Sequence, residues 1–173
     1  MTATIFVLTG PESCAKTSLA EYLANHFAKP LVTEVARHYL NEKPNPTSYL
    51  PSDLFAIAQQ QQHTEEQALA QTDDFIIADT DLQVLRIWWQ VKYGPRPNCL
   101  AHHAGPAKRH YLLCAPTIPW QPDPQRESQD QREQIFDLYL QDMQINSFSY
   151  SLIDAQGQAR EQQAKASVEQ HYN

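Results

Sequence analysis

The sequence is short of cationic residues and cysteines, and it has no long apolar run. Of its 173 residues, 13 are lysine or arginine against 20 aspartate or glutamate, a formal net charge of -7. No basic stripe or tail interrupts that acidity. An acidic chain repels phosphate backbones, so a nucleic-acid partner is not expected, and what is left is a local basic pocket for one small anion. Its three cysteines, Cys14, Cys99 and Cys114, are odd in number and lack metal-ligand spacing. They read as free thiols in a reducing compartment, not as a disulfide framework. The early apolar run from Ile5 to Leu8 is too short to span a bilayer or form a signal-peptide core. The expected address is therefore the cytoplasm, with no membrane partner. With neither internal repeat nor linker, residues 1–173 read as one domain.

Short apolar runs alternate with amphipathic stretches. Thr4-Ile5-Phe6-Val7-Leu8-Thr9 ends at Gly10 and reads as a strand buried on both faces. After a turn-rich segment, Leu19, Leu23 and Phe27 mark one face of a helix over 16–28. Further strands are expected at 31–33, 75–78, 111–114 and 148–153. Helices are expected at 34–41, 53–71 with Ser52 as cap, 82–93, 126–144 and 158–171. In the helix over 82–93, Leu82, Leu85, Trp88 and Trp89 face inward as core. Strands and helices in this order predict an α/β fold, a five-stranded parallel sheet flanked by helices.

The strongest local signal is Gly10-Pro11-Glu12-Ser13-Cys14-Ala15-Lys16-Thr17. It follows the phosphate-binding loop pattern G-x-x-x-x-G-K-[ST] except that Ala15 stands at the second glycine. Such a loop turns successive N–H groups toward phosphates, and the helix behind it adds a positive dipole end. Lys16 would supply charge to the β- and γ-phosphates and Thr17 would bind Mg2+. The expected nucleotide contacts are Gly10, Glu12, Ser13, Cys14, Ala15, Lys16, Thr17 and Ser18. Were position 15 to need a positive φ, alanine would cost about 1–2 kcal/mol there.

Asp79-Thr80-Asp81 closes the strand at 75–78, at the edge where open α/β sheets bind ligands. One carboxylate, Asp79 or Asp81, suits Mg2+ and the other an accepting hydroxyl; both also suit a helix cap. Glu34 and Arg37 follow the second strand and are either cleft residues or a surface pair. Four prolines stiffen residues 115–125, and Arg126 opens the next helix as the arginine of a lid or of a plain rigid loop. His102 and His103 are adjacent, point apart and have no third ligand, so they read as a solvated loop. Cys14 reads as a bystander.

Together these residues resemble the ribosylnicotinamide kinase domain found at the C-terminal end of a bacterial regulator of NAD biosynthesis. The resemblance runs through GPESCAKTSLAEYLA, Glu34 with Arg37, FIIADTDLQVLRIWWQVKYG and HYLLCAPTIPWQPDPQRE. It implies a P-loop NTPase fold and transfer of the γ-phosphoryl of ATP, or of GTP, to the 5′-hydroxyl of nicotinamide riboside. It places Lys16, Asp79, Asp81 and Arg126 in catalysis, and Thr17 with Asp79 on the metal. Glu34, Arg37 and Asp81 fall on the substrate side, where Tyr93 or Trp120 would face the pyridinium charge. Two rivals stand beside this reading: a nucleotide-binding regulatory module with weak or no turnover, and a kinase of another nucleoside or vitamin.

Overall fold

The computed structural model describes residues 3–95, 97, 100 and 107–172. Cys99, His102 and His103 lie outside the described residues. In chain order the elements are β1 (Thr4–Thr9), α1 (Lys16–Phe27), β2 (Leu31–Val32), α2 (Val35–Asn41), α3 (Pro51–Leu69), β3 (Phe75–Asp79), α4 (Leu82–Tyr93), β4 (Lys108–Cys114), α5 (Arg132–Ile145), β5 (Tyr150–Ile153) and α6 (Gly157–Tyr172). The five strands form one parallel sheet in the order β2-β3-β1-β4-β5. β1 is central, with Leu8 beside Asp79 of β3 and Thr9 beside Leu113 of β4. The loop after β1 and the acids after β3 therefore leave the sheet at one edge.

Alternation along β1 explains the layers. Phe6 and Leu8 pack with Leu19, Leu23, Ala164 and Val168 of α1 and α6. Ile5 and Val7 face the other way, with Ala68 of α3 and Met143 of α5. A further cluster joins α2, α3, α4 and α5 through Leu40, Leu54, Ile57, Leu85, Ile135 and Tyr139. Covered on both faces, the strands can be apolar throughout, as parallel strands are. Among the described residues, no helix is long and apolar enough to cross a membrane.

Several boundaries differ from the sequence expectation. Helix α3 starts at Pro51, and Ser52 is not its cap; the Asp53 carboxylate accepts the Leu50 N–H at 2.7 Å. Proline suits that first position because its missing N–H has no helical partner to lose. Helix α5 starts at Arg132, not at Arg126. The N–H groups of Glu127 and Ser128 donate to the Glu12 carboxylate at 3.1 and 3.0 Å, so tertiary contact diverts them from a helix. Strand β4 begins three residues earlier than expected and β5 two residues later. Helix α4 buries polar groups as well as leucines. Arg86 donates to Asp142 at 2.6 Å, and Gln83 joins the same carboxylate at 3.0 Å. Trp88 and Trp89 are only half-buried at the edge of that cluster.

Candidate active site

Residues 10–15 connect the edge of β1 to α1. Gly10 has φ +129°, and a Cβ built there would sit 2.5 Å from the Cys114 carbonyl oxygen of β4. Glycine is needed at that point by both conformation and space. Ser13 and Ala15 also take positive φ, 56° and 53°, although neither is glycine. Ala15 thus occupies the left-handed conformation for which the pattern's second glycine is suited.

A cavity of about 370 Å³ opens over this loop. Gly10, Glu12, Ser13, Cys14, Ala15, Lys16, Thr17 and Ser18 line it from the loop and the start of α1, joined by Glu21, Glu34, Arg37 and Arg126 and by Val84, Trp88, Ile118, Gln121 and Gln125. Lys16 Nζ donates to the Pro11 carbonyl at 2.6 Å. The Thr17 hydroxyl donates to Asp79 Oδ2 at 2.6 Å. Asp79 is buried, its Oδ1 has no hydrogen-bond partner, and burial holds its carboxyl above the ordinary value. Burial, with Asp79 nearby, raises Glu34 as well. Glu34 is half-buried and lines the cavity beside Lys16, Arg37 and Arg126, whereas Asp79 sits behind Thr17 and does not line it.

The donor set fits Mg2+. One hydroxyl, Thr17, and one carboxylate, Asp79, supply hard oxygens within 2.6 Å of each other. Mg2+ keeps several waters and commonly takes only one or two carboxylates beside phosphate oxygens, so a larger protein cage is not required.

Not every expected residue comes to this cavity. Asp81 is turned into the interior, where Oδ1 accepts the Gln83 N–H at 2.8 Å and Oδ2 the Tyr111 hydroxyl at 3.0 Å. It caps α4. Thr80, at φ 69°, makes the turn that points the two acids in different directions. Tyr93 donates its hydroxyl to the Tyr49 carbonyl at 2.7 Å, and Trp120 lies under the Arg132 guanidinium, 5.8 Å from its ring centre. Asp81, Tyr93 and Trp120 do not line the cavity, and Asp79 reaches it only through its contact with Thr17. Trp88, read as core from sequence, does. Cys14 and Cys114 are buried free thiols, and burial pushes Cys114 up to about 11.

Segment 115–131 folds over the loop. Gln121 N–H donates to Ser13 Oγ at 2.8 Å, and Asp123 pairs with Arg37. Arg126 donates to the Gln121 carbonyl at 2.6 Å while lining the cavity. Two arginines that sequence reasoning missed reach the loop from behind. Arg132 donates to the Ser13 carbonyl at 3.0 Å and Arg160 to the Cys14 carbonyl at 2.8 Å. Neither carries a local signal, since each looks like one more charge on a polar helix.

A family model described as an AAA domain matches residues 5–162. The chain belongs to the AAA domain family. No curated protein matches it in sequence. Among solved structures, this AAA domain is similar to the NadR protein in complex with NR, at TM-score 0.75 and 16% identity. The match covers 99% of this chain and 51% of that one, so this domain spans about half of the NadR chain. It is also similar to thymidylate kinase from Ehrlichia chaffeensis, at TM-score 0.68 and 11% identity over 100% of both chains. Deoxyadenosine kinase from M. mycoides with bound dATP matches at TM-score 0.59 and 10% identity, over 98% of this chain and 100% of that one. At these identities the likeness is one of fold, and it places the P-loop kinase architecture beside the five-stranded parallel sheet described above.

Proposed function

We propose that this AAA domain is an ATP- and Mg2+-dependent small-molecule kinase, with nicotinamide riboside as its acceptor. One observation carries the reading: a single cavity is lined by the loop with Lys16 and Thr17, whose hydroxyl bonds Asp79, and also by Glu34 and Trp88. The solved NadR complex with NR supports this acceptor, and the two nucleoside and nucleotide kinases support the reaction type. GTP is the alternative donor.

In this reading the N–H groups of residues 13–17 and the Lys16 ammonium hold the donor phosphates. Thr17 and Asp79 hold Mg2+, which supplies charge neutralisation at the phosphate oxygens when bound. Glu34 accepts the proton of the acceptor hydroxyl as its oxygen bonds to the γ-phosphorus and the bond from that phosphorus to the bridging oxygen breaks, releasing ADP. Its raised carboxyl suits a base that must take up a proton, whereas both oxygens of Asp81 are already bonded. Arg126 is the cation on the segment covering the cavity. Trp88 offers the pyridinium a ring face in place of Tyr93 or Trp120.

A second reading, binding without turnover, has its own support. Lys16 and Arg126 both bond to backbone carbonyls of the chain. ADP release from Mg-ATP across a panel of ribosides separates the possibilities. Stimulation by nicotinamide riboside above all others supports the proposal. Stimulation by another riboside replaces the acceptor, and nucleotide binding with no stimulation by any replaces the kinase.

A further inference from the structure

The phosphate-binding loop of this domain holds two left-handed residues without a glycine at either. Ser13 has φ 56° and Ala15 φ 53°. Side chains disfavour that conformation, so something outside the loop must hold it. Besides the Gln121 N–H on Ser13 Oγ, the contacts that do so fall on carbonyl groups. Ser13 O accepts from Arg132 Nη2 at 3.0 Å, and Cys14 O accepts from Arg160 Nη2 at 2.8 Å. Each guanidinium is anchored elsewhere in turn. Arg132 donates to the Ile118 carbonyl at 3.1 Å, and the buried Arg160 to the Ala155 carbonyl at 3.0 Å and the Ile153 carbonyl at 3.3 Å.

A trans peptide is planar, so its C=O and the N–H of the following residue point in opposite directions. Drawing the Ser13 carbonyl toward Arg132 therefore turns the Cys14 N–H the other way. Drawing the Cys14 carbonyl toward Arg160 does the same for the Ala15 N–H. Cys14 and Ala15 both line the cavity over the loop. Two arginines placed behind the loop thus orient two anion-binding N–H groups in front of it, and their charge opposes the clustering of partly negative carbonyls.

We propose that Arg132 and Arg160 are positioning residues for the bound phosphates, holding by hydrogen bonds the loop conformation that a second glycine would adopt freely. The inference rests on the nucleotide-binding reading above. It explains how alanine stands at position 15 without forfeiting the site: strain at Ala15 is held in place from α5 and α6.

The test is a double-substitution cycle in the full chain, read as the dissociation constant of a non-hydrolysable Mg-ATP analogue by calorimetric titration. Arg160→Met alone should weaken binding about tenfold, the scale of one lost charge-assisted hydrogen bond. Combined with Ala15→Gly, the same change should cost less than about threefold, because glycine no longer needs the brace. Arg132→Met should behave alike when paired with Ser13→Gly, since it holds the Ser13 carbonyl, and this pair stands in should Arg160→Met not fold. Equal losses in the alanine and glycine backgrounds would overturn the proposal and leave the arginines as supports of their helices. If the unsubstituted chain fails to bind the analogue, the nucleotide reading falls and takes this proposal with it.

Discussion

Replacing Gly10 by alanine tests how the loop is joined to the sheet. The new Cβ would lie 2.5 Å from the Cys114 carbonyl oxygen and 3.3 Å from its carbon, where ordinary contact begins at 3.4 Å. Neither partner gives easily. Gly10 follows the central strand β1 directly, and the Ala115 N–H next to Cys114 donates to Ile153 O at 2.9 Å. Overpacking of this kind costs about 1–3 kcal/mol. A backbone at φ +129° adds about 1–3 kcal/mol for a residue with a side chain. Against this, alanine loses less freedom on folding, worth about 0.4–1 kcal/mol. The net loss is about 1–5.5 kcal/mol, set against the roughly 5–15 kcal/mol that holds a domain together. Urea unfolding should show the midpoint falling by about 0.5–3 M at unchanged slope, for a slope of about 2 kcal/mol/M. Gly157→Ala is the control: φ is positive there too, at 56°, but nothing lies within 4 Å of the new Cβ. With the same entropic gain of alanine over glycine subtracted, it should cost only about 0–1.6 kcal/mol. Equal losses at both positions would refute the reasoning, because close approach to Cys114 would then contribute nothing.

Lys16→Ala and Asp79→Asn should each lower kcat/KM at least about a hundredfold, and wild-type-like rates in either would end the assignment. Arg126→Ala should lower kcat more than it weakens ATP binding, and equal effects would make it an ordinary ground-state anchor. Because burial raises the Glu34 carboxyl, turnover should climb with pH through a step above the ordinary glutamate value of about 4.3, as the base loses its proton. Glu34→Gln should abolish that step along with most activity; persistence of the step would assign it to another group. Burial, with His171 stacked at 3.7 Å, pushes His110 down to about 4. The unfolded chain then binds the extra proton between about 6.5 and 4, so stability is full above that window and falls as pH drops through it. His110→Gln should reduce the fall in urea midpoint between pH 7 and pH 5, and an unchanged fall would refute the assignment.

Local signals carried much of this molecule. The apolar run of β1, the loop pattern after it and the leucine spacing of α1 are contiguous in the chain, so one βα unit and the loop joining it were legible from residues 4–28. The same holds for a carboxylate at the end of β3, and for a parallel sheet implied by alternating elements. Ala15 was visible as a departure from the pattern, but its φ of 53° was not, because loop conformation depends on what braces it. Tertiary structure decided where each acid points. Asp79 and Asp81 are nearly equivalent as sequence, and Thr80 at φ 69° separates them, in a conformation a β-branched residue disfavours. Only packing turns Asp81 onto Gln83 and Tyr111 and leaves Glu34 lining the cavity. Arg126 sits in a loop, because the Glu127 and Ser128 N–H groups bond to Glu12, 115 and 116 residues away. Arg160 meets Cys14 across 146 residues. Periodicity records which face of a helix is apolar, and such long-range hydrogen bonds leave no period to read.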